Sequence, residues 1–298
     1  MSIITPDSFM FDTFKNRLEI TGKLTTITAL RISAGRSTEP IGSDLPVIKD
    51  ALGQPLIPGS SFKGALRSRL ESFLRGIDPN LAEDPANYTS STRNNQVKDL
   101  KVKYKNDDLN LTQELLDLTD DIGSLFGTPW MASKFQVRDL TVQPDAWFGQ
   151  YQERDGVAID RDTETAADGK LYDYQVVPAA TPFDFKAVVE NAQDWELGLL
   201  MIGLHQFETE QIPLGGGRSR GLGVVKLEID KMRWVDVEDH PEFLLEYLKK
   251  LVWGDETAYE DAADYKDEWV QKLIDRLTRK ETKLSETQTQ AQRGKYGF

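Results

Sequence analysis

The chain has 298 residues, 39% hydrophobic and 29% charged, with a net charge of −13, enough for one large domain or two small ones with proper cores. It has no cysteine, which excludes disulfides, thiolate metal sites and cysteine nucleophiles and suits a reducing cytoplasm. No apolar run approaches the roughly 20 residues that span a bilayer, and Met1 to Phe14 lacks the basic head and apolar stretch of a signal peptide, so no membrane partner is expected.

Arg17 to Ile32 alternates apolar and polar side chains (Leu18, Ile20, Leu24, Thr26, Thr28, Leu30), which predicts a long strand. Ser33 to Leu45, with Gly35, Pro40 and Gly42, reads as a loop. Short strands at Val47-Ile48 and Pro55 to Ile57 flank a turn at Asp50 to Gly53. Pro58-Gly59-Ser60-Ser61 then opens a helix whose buried stripe is Phe62, Leu66, Leu70 and Phe73/Leu74, with Ser60 or Ser61 as N-cap. Asp78 to Asp108, polar and broken by Pro79 and Pro85, reads as a loose insertion. A short helix is expected within Thr112 to Phe126, and a strand over Phe135 to Val142. The polar stretch Asp145 to Gln175 suggests a protruding hairpin. Phe183 to Val189 reads as a strand, Ala192 to Glu208 as a helix, and Gly223 to Ile229 as a strand after a glycine-rich loop. Helices are expected over Phe243 to Val252 and Glu268 to Leu284, with a polar tail from Ser285. The order β-α, β, β-α-β predicts an α+β, ferredoxin-like core with long insertions.

Net negative charge argues against a nucleic-acid partner, because phosphate binding needs Lys and Arg. Its distribution argues otherwise. Acids dominate from Val235 to Val270, whereas Arg31 to Arg75 leans basic. The two histidines, His205 and His240, are too few for a multi-His metal site; the first is expected packed and the second on the surface.

Three segments could hold chemistry. In Pro58 to Arg69, a Gly-Ser start exposes backbone N–H groups, and Ser60, Lys63 and Arg67 recur at helical spacing on one face. Serine hydroxyls, N–H groups and two cations would suit a phosphate backbone; the plainer reading is a capped surface helix. In Pro213 to Gly223, Gly215, Gly216, Gly217, Gly221 and Gly223 surround Arg218 and Arg220. Glycines let a backbone approach a ligand closely. The loop follows a helix and precedes a strand, the reverse of a dinucleotide fingerprint. In the loop Glu39 to Pro46, Asp44 is close in sequence to the basic helix; a carboxylate beside RNA could hold a divalent metal or act on a 2′-hydroxyl, or be an ordinary loop residue.

Together these segments carry a resemblance. Asp44-Leu45-Pro46-Val47-Ile48-Lys49-Asp50 followed by Pro55 to Arg67 resembles the N-terminal signature of CRISPR-associated RAMP proteins. Gly215 to Gly223 resembles their C-terminal glycine-rich loop. Leu125-Phe126-Gly127, Ala132-Ser133-Lys134 and Val137-Arg138-Asp139 are similar to the central segment, and Gly156 to Arg161 to the start of a thumb-like hairpin. The match runs from about residue 15 to 230 in the family's order.

The resemblance is nearest to the repeated backbone subunit of type III effector complexes, and implies an RRM-like palm over residues 1–234. Insertions are expected at about 78–125 and 145–180, followed by an acidic helical extension over 235–298. It implies that such subunits stack along a CRISPR guide RNA, with other RAMP subunits and a large subunit as partners. Target single-stranded RNA would be cut beside each thumb by an aspartate, matched here by Asp44, with Mg²⁺ or Mn²⁺. The implied RNA-holding positions are Ser60, Ser61, Lys63, Arg67, Gly215, Gly216, Gly217, Arg218 and Arg220. A subunit that coats guide RNA without cutting is the alternative. A guide-processing ribonuclease of the same superfamily is disfavoured, because neither histidine lies near the basic helix.

Overall fold

The computed structural model describes residues 13–33, 35, 45–159, 166–237 and 240–279. In β1 (Asn16–Thr26) the alternation points Leu18, Ile20 and Leu24 into the core, all fully buried. Gly22 falls on the same face. A Cβ there would lie 2.3 Å from the Glu228 carbonyl oxygen, and the ladder to the neighbouring strand shifts register at this point.

After β2 (Leu56–Ile57), α1 (Gly59–Ile77) buries Phe62, Leu66, Leu70 and Leu74. Next come α2 (Pro85–Tyr88), α3 (Ser91–Lys103), α4 (Asp108–Asp117) and α5 (Asp121–Phe126). The expected loose insertion at Asp78 to Asp108 is therefore mostly helical. Its polar residues do local work: Asp84, Ser90 and Asp107 accept bonds from Ala86 N, Arg93 N and Asn110 N at helix starts. The single helix expected in Thr112 to Phe126 is likewise split, because the Asp120 carboxylate caps a new start at Gly123 N.

β3 (Phe135–Val137), β4 (Leu140–Thr141), the hairpin β5 (Gln152–Ile159) and β6 (Ala166–Val176), then β7 (Pro182–Glu190) follow. The continuous strand expected over Phe135 to Val142 breaks at Arg138-Asp139. α6 (Asp194–Glu208) leads through the glycine-rich loop into β8 (Val225–Asp236). The main sheet runs β3-β7-β1-β8-β9, with β9 at Glu260–Asp261, and every pairing is antiparallel. Strands β1, β3, β7 and β8 with helices α1 and α6 are the ferredoxin-like β-α-β-β-α-β unit. The two helices share a face of the sheet. The Phe62 ring stacks on Phe207 at 4.3 Å and tilts against Phe185 at 5.0 Å. At Gly203 a Cβ would lie 2.5 Å from Leu66 Cδ1, so α6 approaches α1 only because no side chain stands there.

The strand expected to reach Ile32 ends at Thr26. Ile27 N and Thr28 N both turn to the Val224 carbonyl, and Thr26 Oγ1 bonds the Pro178 carbonyl, so the chain leaves the ladder. Beyond β8, α7 (Pro241–Trp253) and a helix over 266–279 (α8) form the C-terminal part. α8 buries Trp269, Leu273 and Leu277; the rest of the helix expected to Leu284, and the tail from Ser285, lie outside the described residues. No helix among the described residues is long and apolar enough to cross a membrane.

Candidate nucleic-acid interface

α1 presents an exposed ridge of small residues, Ser60, Gly64, Ser68 and Ser72, spaced four apart. One flank of this ridge, Ser61, Ala65 and Arg69, faces the residues just before and within the glycine-rich loop. Between them lies an open groove of about 400 Å³, closed on the far side by Pro213 and Arg218. Ser60, Ser61 and Arg218 are thus brought together, although more than 150 residues separate the two segments.

Lys63 and Arg67 lie on the other flank of this ridge, away from Ser61, Ala65 and Arg69, and both make contacts within the chain. Lys63 Nζ donates to Ser133 Oγ at 2.6 Å and to the Phe135 carbonyl at 3.1 Å. Burial, and then Arg67, hold its pKa down to about 8. Arg67 pairs with the buried Glu71 at 2.8 Å and bonds the Gly127 carbonyl at 3.2 Å. These two cations tie α1 to the segment between α5 and β3. Helical spacing placed them near Ser60; it could not say that a neighbouring segment would engage some of their donors, while Arg67 Nη2 is buried with no hydrogen-bond partner among the described residues.

The helix start differs from the expected open anion site as well. Gly59 N donates to Asp139 Oδ1 at 2.8 Å, and the N-cap residue is Pro58, with no side-chain cap from Ser60 or Ser61. The chain supplies its own carboxylate to the α1 dipole. Gly59 also allows close approach: a Cβ would lie 2.5 Å from the Val137 carbonyl.

The glycine-rich loop is held by the strand extension after β1. Gly216 N donates to the Arg31 carbonyl and Gly223 N to the Ala29 carbonyl. Gly215 and Gly217 have φ of +72° and +76°, and a Cβ at Gly215 would lie 2.1 Å from the Arg31 carbonyl oxygen. At Gly216 a Cβ would meet nothing within 4 Å, so the space beside it is free although its N–H is committed to the Arg31 carbonyl. Arg218 Nε bonds back to the Gly215 carbonyl, and Arg220 reaches the Tyr172 hydroxyl of β6 at 3.0 Å.

That last contact joins the loop to the base of the hairpin. Arg31 lies over the Tyr174 ring at 4.7 Å, and Gln175 N donates to the Leu45 carbonyl at 3.1 Å. Asp44 itself lies outside the described residues, together with most of the loop Glu39 to Pro46. Sequence reading missed Arg69, whose Nε is buried with no hydrogen-bond partner among the described residues, and it missed Tyr172 and Asp139. Arg69 follows Ser61 at two turns of helix, a signal that could have singled it out. His205 is exposed beside Glu208 rather than packed, because α6 turns that position to solvent; His240 is exposed as expected.

An antiparallel ferredoxin-like palm, with a glycine-rich loop set beside the first helix and a hairpin rising from the same end, defines the class. Within it the chain belongs to the RAMP superfamily, whose sequence profile matches residues 23–226. It is 25% identical over 220 residues to a protein of Enterococcus italicus named CRISPR system Cms endoribonuclease Csm3, covering 73% of this chain and 92% of the relative. A protein of the same name from Methanocaldococcus jannaschii is 28% identical over 227 residues, 74% of this chain and 82% of that one. A third, from Mycobacterium tuberculosis, is 48% identical over 56 residues, which are 18% of this chain and 24% of the relative.

Proposed function

We propose that this chain is the guide-RNA-binding backbone subunit of a type III CRISPR effector complex and cuts complementary target RNA at Asp44. The observation that carries the reading is the groove where the serine ridge of α1 meets the glycine-rich loop. It combines serine hydroxyl donors with two guanidinium groups, Arg69 and Arg218. Such donors hold phosphates without reading bases. Base pairing with the guide would supply target specificity, the protein following duplex shape.

Cleavage is assigned to Asp44 because Leu45, the next residue, is tied to the hairpin base, beside Tyr172, Tyr174 and Arg220. Among the described residues no three His, Asp or Glu side chains converge as a metal cage. A Mg²⁺ or Mn²⁺ ion would rest on the Asp44 carboxylate and on oxygens of the RNA, as hard cations with few protein ligands do. It would supply charge neutralisation at the scissile phosphate. The residues of this chain would hold the strand on either side of that phosphate.

The test is to co-express the chain with a CRISPR array and its partner subunits, purify the assembly, and add complementary labelled RNA with Mg²⁺. Regularly spaced cuts that vanish in Asp44→Ala, with guide loading unchanged, are expected. An assembly that binds target but never cuts would leave a coat subunit. Loss of guide binding in Asp44→Ala would overturn the role given to Asp44.

A further inference from the structure

The chain beyond the RAMP match folds around a cavity of about 480 Å³, a size that suits a small molecule. Every residue of its lining except Asp194 lies after residue 226, where the match ends. Aromatic rings make its floor. Trp234 on β8, Tyr247 on α7 and Trp269 on α8 are buried. The Trp234 ring stands edge-on to Trp269 at 5.3 Å, and Tyr265 stacks on Trp269 at 5.8 Å. Phe243, also in the lining, is 46% exposed.

Carboxylates make the rim. Asp194, Asp236, Glu246, Glu260 and Glu268 line the same cavity, and all five are exposed. They stand on α6, β8, α7, β9 and α8 in turn, so the tertiary fold gathers them and no single acidic run does. The Tyr265 hydroxyl donates to Glu260 at 2.6 Å, which fixes one carboxylate against the aromatic floor. The lining has one cation, Lys250, and it pairs with Glu246 at 2.8 Å.

The lining decides the class of ligand. Carboxylates in this excess attract a cation and repel RNA, and ring faces attract cations as well. Among the described residues no three acidic side chains converge closely enough to chelate one metal ion, whereas a compact metal ion needs its oxygens gathered at one point. A ligand that spreads its charges along a flexible chain can reach separate carboxylates, and its methylene groups can lie on the rings between them. We infer that this cavity binds a linear aliphatic polyamine, with ammonium groups on the carboxylate rim and methylene segments against the aromatic floor. The site involves no RNA, so it does not rest on the function proposed above.

The experiment is isothermal titration calorimetry of spermidine and of spermine into the nuclease-treated full chain at low and high salt. Saturable binding at one site per chain is expected, tighter for spermine than for spermidine and weaker as salt is raised. Glu260→Gln/Glu268→Gln should weaken spermine binding about tenfold, and Phe243→Ala about threefold. Both should keep the wild-type circular dichroism spectrum, because the three side chains are exposed. Asp99→Asn/Glu153→Gln removes the same charge at exposed positions outside the cavity and should bind as wild type does. Titration with no saturable site would overturn the inference. So would a loss in the Asp99/Glu153 variant equal to that in the Glu260/Glu268 variant, since net charge alone would then account for binding. Phe243→Ala binding at full strength would overturn the aromatic contact. Displacement of spermine by Mg²⁺ at matched ionic strength, more than by Na⁺, would overturn the assignment to an organic cation.

Discussion

Lys134 Nζ lies 2.9 Å and 2.7 Å from the two carboxylate oxygens of Glu196, and both side chains are out of solvent. The pair joins the entrance to β3 with the first turn of α6. Glu196 also accepts from Gln193 N at 2.7 Å and from the Ser124 hydroxyl, so one carboxylate fastens three elements. A buried pair of this kind adds little net stability, but removing one member strands the other.

Glu196→Gln is therefore expected to destabilise the protein by ~3–5 kcal/mol, and Lys134→Met by a similar amount. Urea denaturation of both single variants and the double variant would check this. The double variant should cost clearly less than the sum of the singles. Strict additivity would show that the two side chains do not act as a pair.

The glycine-rich loop separates glycines that the fold needs from one that is available to a ligand. Gly215→Ala should cost more than ~1–2 kcal/mol, since φ is positive and the Arg31 carbonyl occupies the Cβ position. Gly216→Ala should leave the melting temperature unchanged and weaken guide-RNA binding. Equal melting temperatures for the two variants would remove the distinction.

Arg218→Ala and Arg69→Ala should each weaken guide binding to a similar degree for unrelated guide sequences. Each should lower the slope of log K against log salt by about 0.7, as expected when one single-strand phosphate contact is lost. Binding isotherms at several salt concentrations give the slope. An unchanged slope would exclude that arginine from the phosphate contacts.

Lys63 gives a pH signature. Its folded pKa of about 8 lies below the ordinary lysine value of 10.5 because burial disfavours the ammonium. Between those values the unfolded chain binds the proton more tightly, so this group's contribution makes stability rise with pH. Below about pH 8 the desolvation cost is present in full. Comparing the wild type with Lys63→Met from pH 8 to 10 isolates this term: the variant should lose part of the upward slope. Parallel curves would show that Lys63 is not the titrating group.

The main strands and the two core helices were legible because their periods are written in single residue types. Leu18, Ile20 and Leu24 alternate, and Phe62, Leu66 and Leu70 recur every four residues. The helices of Asp78 to Asp108 were missed because they bury little; α3 buries only Val97, so no apolar stripe announces it. The extra strand β9 was not expected either. It is two acidic residues, and only the free edge of β8 makes them a strand.

By itself, the sequence determined the ferredoxin-like order of elements, the glycine-rich loop and the serine-bearing helix start. Those follow from local period, backbone freedom and residue chemistry. Only the tertiary structure decided which α1 side chains face the groove. Helical spacing put Lys63 and Arg67 beside Ser60; the carbonyls of Phe135 and Gly127 and the Glu71 carboxylate engage these two cations, while the groove on the other flank is lined by Ser60, Ser61, Arg69 and Arg218. A charged side chain's direction is set by the partners that reach it from distant parts of the chain, and no local pattern records them.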